Sequence, residues 1–173
     1  MALVGAANHA RFAFARVFQC TQFVSMSSIR RSALVPFSAQ QMFGLVADIE
    51  SYPKFLLWCG GARILVQNDD EVVAAIDIAY HGIHKTFTTR NRLQQGKLME
   101  VRLVEGPFKH LHGFWQFQAL DRSSSKISLD LEFDFSNRIL ELTLGPVFSN
   151  IANSLIDGFS KRATALYGER QSQ

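Results

Sequence analysis

ISLDLEFDF, at residues 127–135, and the segment SNRILELTLGPVFSNIANSLIDGFSKRATALYG that follows it, at 136–168, decide the fold. In the first stretch apolar and polar residues alternate without error, which is typical of a strand in an antiparallel sheet with one wet face. The second stretch predicts a long amphipathic helix, since apolar side chains recur every three or four residues at Phe148, Ile151, Leu155, Phe159 and Ala163. Gly145-Pro146 predicts a break or a kink in this segment, and a break would make residues 138–144 a separate helical arm.

The residues before this pair of elements predict a strand, two short helices and five more strands. The first strand is expected at 28–35 and ends at Pro36, because proline has no N–H for the ladder. Ser38 is a favourable N-cap for a helix over 39–48, and a short helical turn is expected at 52–56. Turn residues then separate predicted strands at 62–67, 72–80, 83–93, 98–104 and 112–120. The predicted fold is α+β: an antiparallel sheet of about seven strands wraps around the long C-terminal helix and leaves a cavity between them, which is the helix-grip arrangement.

Composition agrees with one globular domain. The chain has 173 residues, of which 47% are hydrophobic and 15 are phenylalanine, so a large apolar interior or an apolar cavity is expected. A formal net charge of +3 permits an acidic partner such as RNA or anionic lipid but does not require one. No uninterrupted apolar run reaches the roughly 18 residues of a spanning helix, so any membrane contact is expected to be peripheral.

Residues 1–27 differ from the rest of the chain. They contain no Asp or Glu, and Arg11 and Arg16 interrupt the apolar run, which disfavours a secretory signal. Two interpretations remain: Met26 is the natural start and the earlier residues come from an upstream start codon, or the segment is a mitochondrial transit peptide. Under both, the domain is expected at 28–168, with an extension before it and a short tail at 169–173.

Five ordered motifs carry a resemblance to a known family. They are SALVPFSAQQMFGLVADIESYPKFLLWC (32–59), FTTRN (87–91), EGPFKHLHGFWQF (105–117), LDLEFDFSNRILE (129–141) and FSKRATALYG (159–168). Together they resemble the START-like family of coenzyme Q-binding proteins and bacterial ribosome-association toxins. The resemblance covers residues 28–168 and implies a START-like helix-grip domain.

The resemblance implies two functions. The first expectation is binding of ubiquinone, as a ligand and not as a required cofactor, in support of respiratory electron transport. The alternative is a toxin of a toxin–antitoxin pair that binds the rRNA of the large ribosomal subunit and blocks subunit joining and translation initiation; DNA is not an expected partner. A cytoplasmic protein, peripheral to the inner membrane, is expected, or a protein on the matrix side of the mitochondrial inner membrane if the first segment is a transit peptide.

The candidate ligand-binding residues are mostly aromatic, because an isoprenoid tail needs a long dry cavity and a quinone ring gains from stacking. For each residue the competing interpretation is ordinary core packing. Phe108 follows Gly106-Pro107 and is predicted to lie in a loop that acts as a lid. The predicted set is Phe37, Tyr52, Phe55, Leu56, Trp58, Phe108, Trp115, Phe148, Leu155 and Phe159.

Basic residues give two further hypotheses. Arg90 is a candidate to hold a quinone carbonyl, against the interpretation that it lies on the wet face of the sheet beside Arg92. Arg90 and Arg92, with Lys97 and Arg102 nearby, are a candidate patch for rRNA, against the interpretation of a solvated charged face. The domain lacks the basic run that marks strong nucleic-acid binders.

Catalytic and metal-binding patterns are weak. The histidines lie in the pairs His81/His84 and His110/His112, with Cys59 as the other soft ligand, and no converging metal set is predicted. No serine lies in a G-x-S-x-G context, and Gly60-Gly61 lacks the spacing and lysine of a phosphate loop. The protein is therefore expected to be no enzyme, with its two cysteines as free thiols.

Overall fold

The computed structural model describes residues 26–168, so the expectations for 1–25 and 169–173 lie outside the described residues. One antiparallel sheet has the strand order β1-β7-β6-β5-β4-β3-β2. The strands are β1 (Ser27–Val35), β2 (Cys59–Gln67), β3 (Glu71–Tyr80), β4 (Ile83–Gln94), β5 (Leu98–Glu105), β6 (Phe108–Ala119) and β7 (Ser125–Phe135). Between β1 and β2 lie helix α1 (Ala39–Ala47) and a 3₁₀ helix (Ile49–Lys54), and helix α2 (Arg138–Tyr167) ends the domain.

The alternation of β7 places its apolar side chains in the core. Ile127, Leu129, Leu131, Phe133 and Phe135 are all buried, and β7 pairs with β1 on one side and β6 on the other. At the start of α1, Ser38 is the N-cap as expected and also forms a capping box with Gln41. The Ser38 hydroxyl accepts from the Gln41 N–H at 3.2 Å, while the Gln41 side chain accepts from the Ser38 N–H at 2.9 Å. The helix-grip arrangement predicted from the sequence is confirmed.

Helix α2 is continuous, so the prediction of a separate arm at 138–144 is wrong. Asn137 caps its start by accepting a hydrogen bond from the Leu140 N–H at 2.9 Å. Pro146 lies inside the helix on its exposed side, while Leu144 and Phe148 are buried on either side of it in the chain. Anchoring of both flanking turns in the core holds the helix together across the hydrogen bond that proline cannot donate.

Two strands begin three or more residues earlier than predicted. Strand β2 begins at Cys59, three residues before the predicted start at residue 62, and includes Gly60-Gly61. A β-carbon at Gly60 would lie 2.7 Å from the Ala79 β-carbon, so glycine here permits a close approach of β2 to β3 at an irregular register. Strand β6 begins at Phe108, which lies opposite Phe135 of β7.

By length and composition alone, α2 is also apolar enough to span a membrane. In the structure its apolar stripe packs against the sheet, with Phe148, Ile151, Ile156 and Phe159 buried. The helix is therefore the core helix of the domain, and the inner face of the sheet beneath it encloses the site described next.

Candidate functional site

A cavity of about 80 Å³ lies between α2 and the inner face of the sheet. Its wall comes from α2, the 3₁₀ helix, the residue before β2 and strands β3 to β7. Val101 and Leu155 are the lining residues that are partly exposed, and they mark what we call the mouth. The lining residues are Ile49, Tyr52, Trp58, Ile76, Phe87, Thr89, Asn91, Met99, Val101, Leu111, Trp115, Leu129, Leu131, Phe148, Ile151, Ala152, Leu155 and Phe159.

Six residues of the predicted ligand set reach this cavity. They come from four parts of the chain, and their aromatic rings pack edge to face: the Trp115 and Tyr52 rings each lie 5.3 Å from the Phe159 ring. Edge-to-face packing of this kind is also what an ordinary aromatic core shows, so the rings alone do not identify a ligand. The six are Tyr52, Trp58, Trp115, Phe148, Leu155 and Phe159.

The lid assignment of Phe108 is wrong. Phe108 is the first residue of β6 and is buried, with its ring 4.7 Å from the Phe148 ring and 5.0 Å from the Phe135 ring. It does not line the cavity. The strand pairing of Phe108 with Phe135 and this aromatic cluster together give the side chain a fixed place in the core, in spite of the preceding Gly106-Pro107.

Three more predicted residues pack elsewhere. Phe37 is buried against the Tyr167 ring, with the two centroids 6.0 Å apart, at the start of α1. Phe55 is partly buried, and the Arg162 guanidinium lies 5.4 Å from the centre of its ring. Leu56 is buried and approaches Gly158 of α2, where glycine leaves room for its methyl group. These residues support the wall from behind and do not line it.

Arg90 is also misassigned as a cavity residue. Because side chains alternate along β4, Arg90 lies on the outer face of the sheet, where its Nε is 3.4 Å from a Glu71 carboxylate oxygen. Arg92 reaches the same carboxylate at 3.5 Å, and Arg102 pairs with Glu100 at 2.6 Å. The candidate rRNA patch therefore exists as a row of three arginines whose positive field is reduced by the carboxylates of Glu71 and Glu100. Lys97, the fourth predicted member, is exposed and has no carboxylate partner among residues 26–168.

Sequence reasoning missed the polar part of the wall. Thr89 and Asn91 are each 2% exposed and line the cavity from β4, on either side of the outward-facing Arg90. The signal was present in the motif FTTRN, where strand alternation places Phe87, Thr89 and Asn91 on one face. The prediction favoured apolar side chains, because an isoprenoid tail needs a dry cavity, and it therefore did not include these two polar residues.

Two buried ionisable groups near the cavity are held neutral. The Tyr52 hydroxyl donates a hydrogen bond to the Val46 carbonyl at 2.6 Å, and burial raises the pKa of Tyr52 well above its ordinary value. Burial also raises the pKa of the Cys59 thiol to about 11, although hydrogen bonding by the Gly61 backbone to the thiolate opposes the rise. In its neutral form the thiol donates to the Gly61 carbonyl at 3.3 Å. Neither group is a nucleophile or base at neutral pH.

The outer face carries one small ionic cluster. Glu100 accepts hydrogen bonds from Arg102 and contacts His112 at 3.0 Å, and these two partners lower the pKa of the carboxyl. Within residues 26–168, no group of three or more His, Cys, Asp or Glu side chains is placed to hold a metal ion.

A second basic group lies at the junction of α2 and the 3₁₀ helix. Lys161 is exposed, and Arg162 lies over Phe55, the residue that follows Lys54. In the described part of the chain, no carboxylate pairs with Lys54, Lys161 or Arg162. We call these three residues the junction cations; their positive charge is less compensated than that of the arginine row on the outer face.

Comparison with known proteins shows which family the chain resembles. A family model described as polyketide cyclase / dehydrase and lipid transport matches residues 35–160. The chain is 45% identical over 144 residues to the ribosome association toxin RatA of Vibrio cholerae, covering 83% of this chain and 100% of that protein. It is 44% identical over 147 residues to RatA of Escherichia coli K12, covering 85% of this chain and 93% of that protein.

A more distant relative and a solved structure extend the comparison. The chain is 24% identical over 146 residues to the mitochondrial coenzyme Q-binding protein COQ10 homolog B of Xenopus laevis, covering 81% of this chain and 59% of that protein. The Zhui aromatase/cyclase from Streptomyces sp. R1128 has a TM-score of 0.73 at 18% identity, covering 86% of this chain and 96% of that chain. At this identity the likeness shows a shared fold alone.

Proposed function

Because the chain belongs to the polyketide cyclase / dehydrase and lipid transport family and its 44–45% identical relatives are named ribosome association toxins, we propose that it associates with the ribosome. The observation that carries this proposal is the 45% sequence identity to the Vibrio cholerae relative, which extends over the full length of that protein. By the same proposal, it binds the large subunit, blocks subunit joining and acts without catalysis in the cytoplasm.

This order reverses the one expected from the sequence, which put ubiquinone binding first. The relative named for coenzyme Q binding is 24% identical, whereas the relatives named for ribosome association are 44–45% identical. The more similar relatives carry more weight.

The junction cations support the proposal as the surface that meets rRNA. Phosphate recognition needs accessible positive charge, and Lys54, Lys161 and Arg162 have no carboxylate partner within the described residues. The arginine row on the outer face is a weaker candidate, since Glu71 and Glu100 offset part of the positive charge of its three arginines.

Co-sedimentation tests ribosome association directly. The protein is mixed with isolated large or small ribosomal subunits, pelleted through sucrose at increasing salt, and quantified in the pellet. We expect pelleting with large subunits that weakens steeply with salt, because phosphate contacts release counterions. Lys161→Glu is expected to weaken it more than Lys85→Glu, an equal charge change at another exposed lysine without an ion pair. An equal loss of pelleting in both variants would show that the ribosome contacts a surface other than the junction cations. If the wild-type protein does not pellet with subunits at low salt, ribosome association is rejected.

The cavity favours a second proposed function, the binding of a lipid of the ubiquinone class. The wall is almost entirely apolar, and the family description includes lipid transport. The cavity volume of about 80 Å³ limits the size of the ligand that fits inside. A cavity that takes up benzene has roughly 150 Å³, so a quinone ring must displace lining side chains and an isoprenoid tail must leave through the mouth. Peripheral contact with a membrane, as the source of such a lipid, belongs to this second proposal.

Mass spectrometry of lipids extracted from the purified protein tests the second function. A co-purifying quinone at near-stoichiometric amount supports it. Extracts that match those of an unrelated protein purified in parallel count against it.

A further inference from the structure

The cavity has a polar strip on an otherwise apolar wall. Thr89 and Asn91 are two residues apart on β4, so their side chains emerge on the same face roughly 7 Å apart along the strand. Asn91 lies opposite Val101 of β5, one of the two residues at the mouth. A hydroxyl and an amide are therefore presented to the interior next to its opening.

The Trp58 indole is a third polar group, and it requires a hydrogen-bond acceptor on the ligand. Trp58 lines the cavity, is 7% exposed, and its buried indole Nε1 has no hydrogen-bond partner among the described residues. An indole N–H only donates, whereas threonine and asparagine both donate and accept. A buried donor without an acceptor costs free energy, so a ligand that offers an acceptor atom removes this cost when it binds.

The composition of the cavity wall also excludes charged ligands. Among residues 26–168, no lysine, arginine, histidine, aspartate or glutamate lines the cavity, and the Tyr52 hydroxyl already donates to the Val46 carbonyl. A charged ligand would lose its hydration without gaining a counter-charge, which is strongly unfavourable. A carboxylate or phosphate is therefore excluded from the interior.

We propose that Thr89, Asn91 and Trp58 form a recognition site for the acceptor oxygen of an uncharged, ring-sized ligand whose remaining surface is apolar. This inference rests on the second proposed function and deepens it, since it names the residues that select the ligand and the chemistry that they select. A carbonyl or ether oxygen on an aromatic or quinonoid ring has the required character.

Three probes of similar size separate these requirements. They are 2,3-dimethoxy-5-methyl-1,4-benzoquinone, which is neutral with acceptor oxygens; p-xylene, which is neutral without them; and 4-methylbenzoate, which is anionic. Binding is measured by calorimetry, with protein-detected NMR as a second readout. We expect the quinone to bind about tenfold or more tightly than p-xylene, and no binding of the benzoate at neutral pH.

Isosteric variants test the named residues. Thr89→Val and Asn91→Leu remove the polar atoms and keep approximate volume, and Trp58→Phe removes the Nε1 donor. Each is expected to weaken quinone binding about tenfold and to leave p-xylene binding unchanged or stronger. Thr88→Val is the matched control, because Thr88 is buried on the same strand but does not line the cavity.

The outcomes test two parts of the proposal separately: recognition of an acceptor oxygen, and its assignment to Thr89, Asn91 and Trp58. Equal affinity of the wild-type protein for the quinone and p-xylene overturns oxygen recognition but keeps the cavity as an apolar binding site. Unchanged quinone binding in all three variants, or an equal loss in Thr88→Val, overturns the assignment of the residues. No binding of any neutral probe overturns the second proposed function together with this inference. Ribosome co-sedimentation is independent of all these results.

Discussion

The hydroxyl of Ser125 links strand β7 to the segment between β1 and α1 through one hydrogen bond. Ser125 is fully buried at the start of β7, and its Oγ donates to the Phe37 carbonyl, 2.8 Å away, in the segment between β1 and α1. Ser125→Ala leaves that carbonyl without its partner and is expected to lower the free energy of unfolding by about 1–3 kcal/mol. Urea unfolding measures the loss, with Ser128→Ala, at a partly exposed position of the same strand, as the control. Equal effects of the two substitutions would contradict this role.

The Cys59 thiol gives a pH-dependent prediction. Its pKa is raised to about 11 by burial from an unfolded value of 9.0, so the unfolded chain releases this proton first. The associated stability is complete below about pH 9 and is lost as the pH rises from 9 to 11. Between pH 8 and pH 10.5 the melting temperature of Cys59→Ala should therefore fall less than that of the wild type. Burial also predicts slow alkylation of Cys59 at pH 8 in a Cys20→Ser background; a rate equal to that of a peptide thiol would refute it.

Residue-level prediction from the sequence agrees with the position of some side chains. The residues Trp115, Phe148 and Phe159 were chosen for their aromatic side chains, and they line the cavity, while their part in ligand binding stays a prediction. Phe108 was misassigned because local chain signals say nothing about the cluster with Phe135 and Phe148 that buries it. Arg90 was misassigned although strand alternation already places it opposite Thr89 and Asn91.

Pro146 tests how α2 holds together. It lies in the helix interior and is exposed, so alanine there restores a backbone donor without removing a core contact. Pro146→Ala is expected to raise the free energy of unfolding by about 1–3 kcal/mol. Asn150→Ala, at an exposed position one turn later, is the control and should change it by less than about 1 kcal/mol. A lower stability of Pro146→Ala in chemical unfolding would show that the proline is required by the native path of the helix.

Elements were predictable to different degrees. The alternation of β7 and the Ser38 capping signal located their elements closely, because both depend on local sequence. The continuity of α2 and the early starts of β2 and β6 were not predicted, since each depends on packing against a distant element. Gly60 shows this clearly: the same residue that breaks an isolated strand allows β2 to approach Ala79 of β3.

At the scale of the whole molecule, the two proposed functions use separate surfaces. The cavity lies under α2 with its mouth at Val101 and Leu155, whereas the junction cations lie on the last turns of α2 and on the 3₁₀ helix, with Lys54 and Lys161 exposed and Arg162 partly exposed. The family match and the helix-grip fold, both expected from the sequence motifs, are confirmed. The choice between the functions was not available from the sequence, because the motifs that identify the fold are shared by proteins named for both.

Because the two proposed functions use separate surfaces, we expect a substitution at one surface to remove one function and leave the other intact. Leu155→Trp enlarges a partly exposed side chain at the mouth and should abolish binding of the benzoquinone probe without unfolding the domain, because the indole can fill the entrance from the solvent side. Ribosome co-sedimentation of this variant should equal that of the wild type. Lys161→Glu should show the reverse, with wild-type affinity for the quinone and weaker, less salt-dependent pelleting. If Leu155→Trp keeps its melting temperature but loses ribosome association, the two sites are coupled, and occupancy of the cavity controls the surface that meets the ribosome.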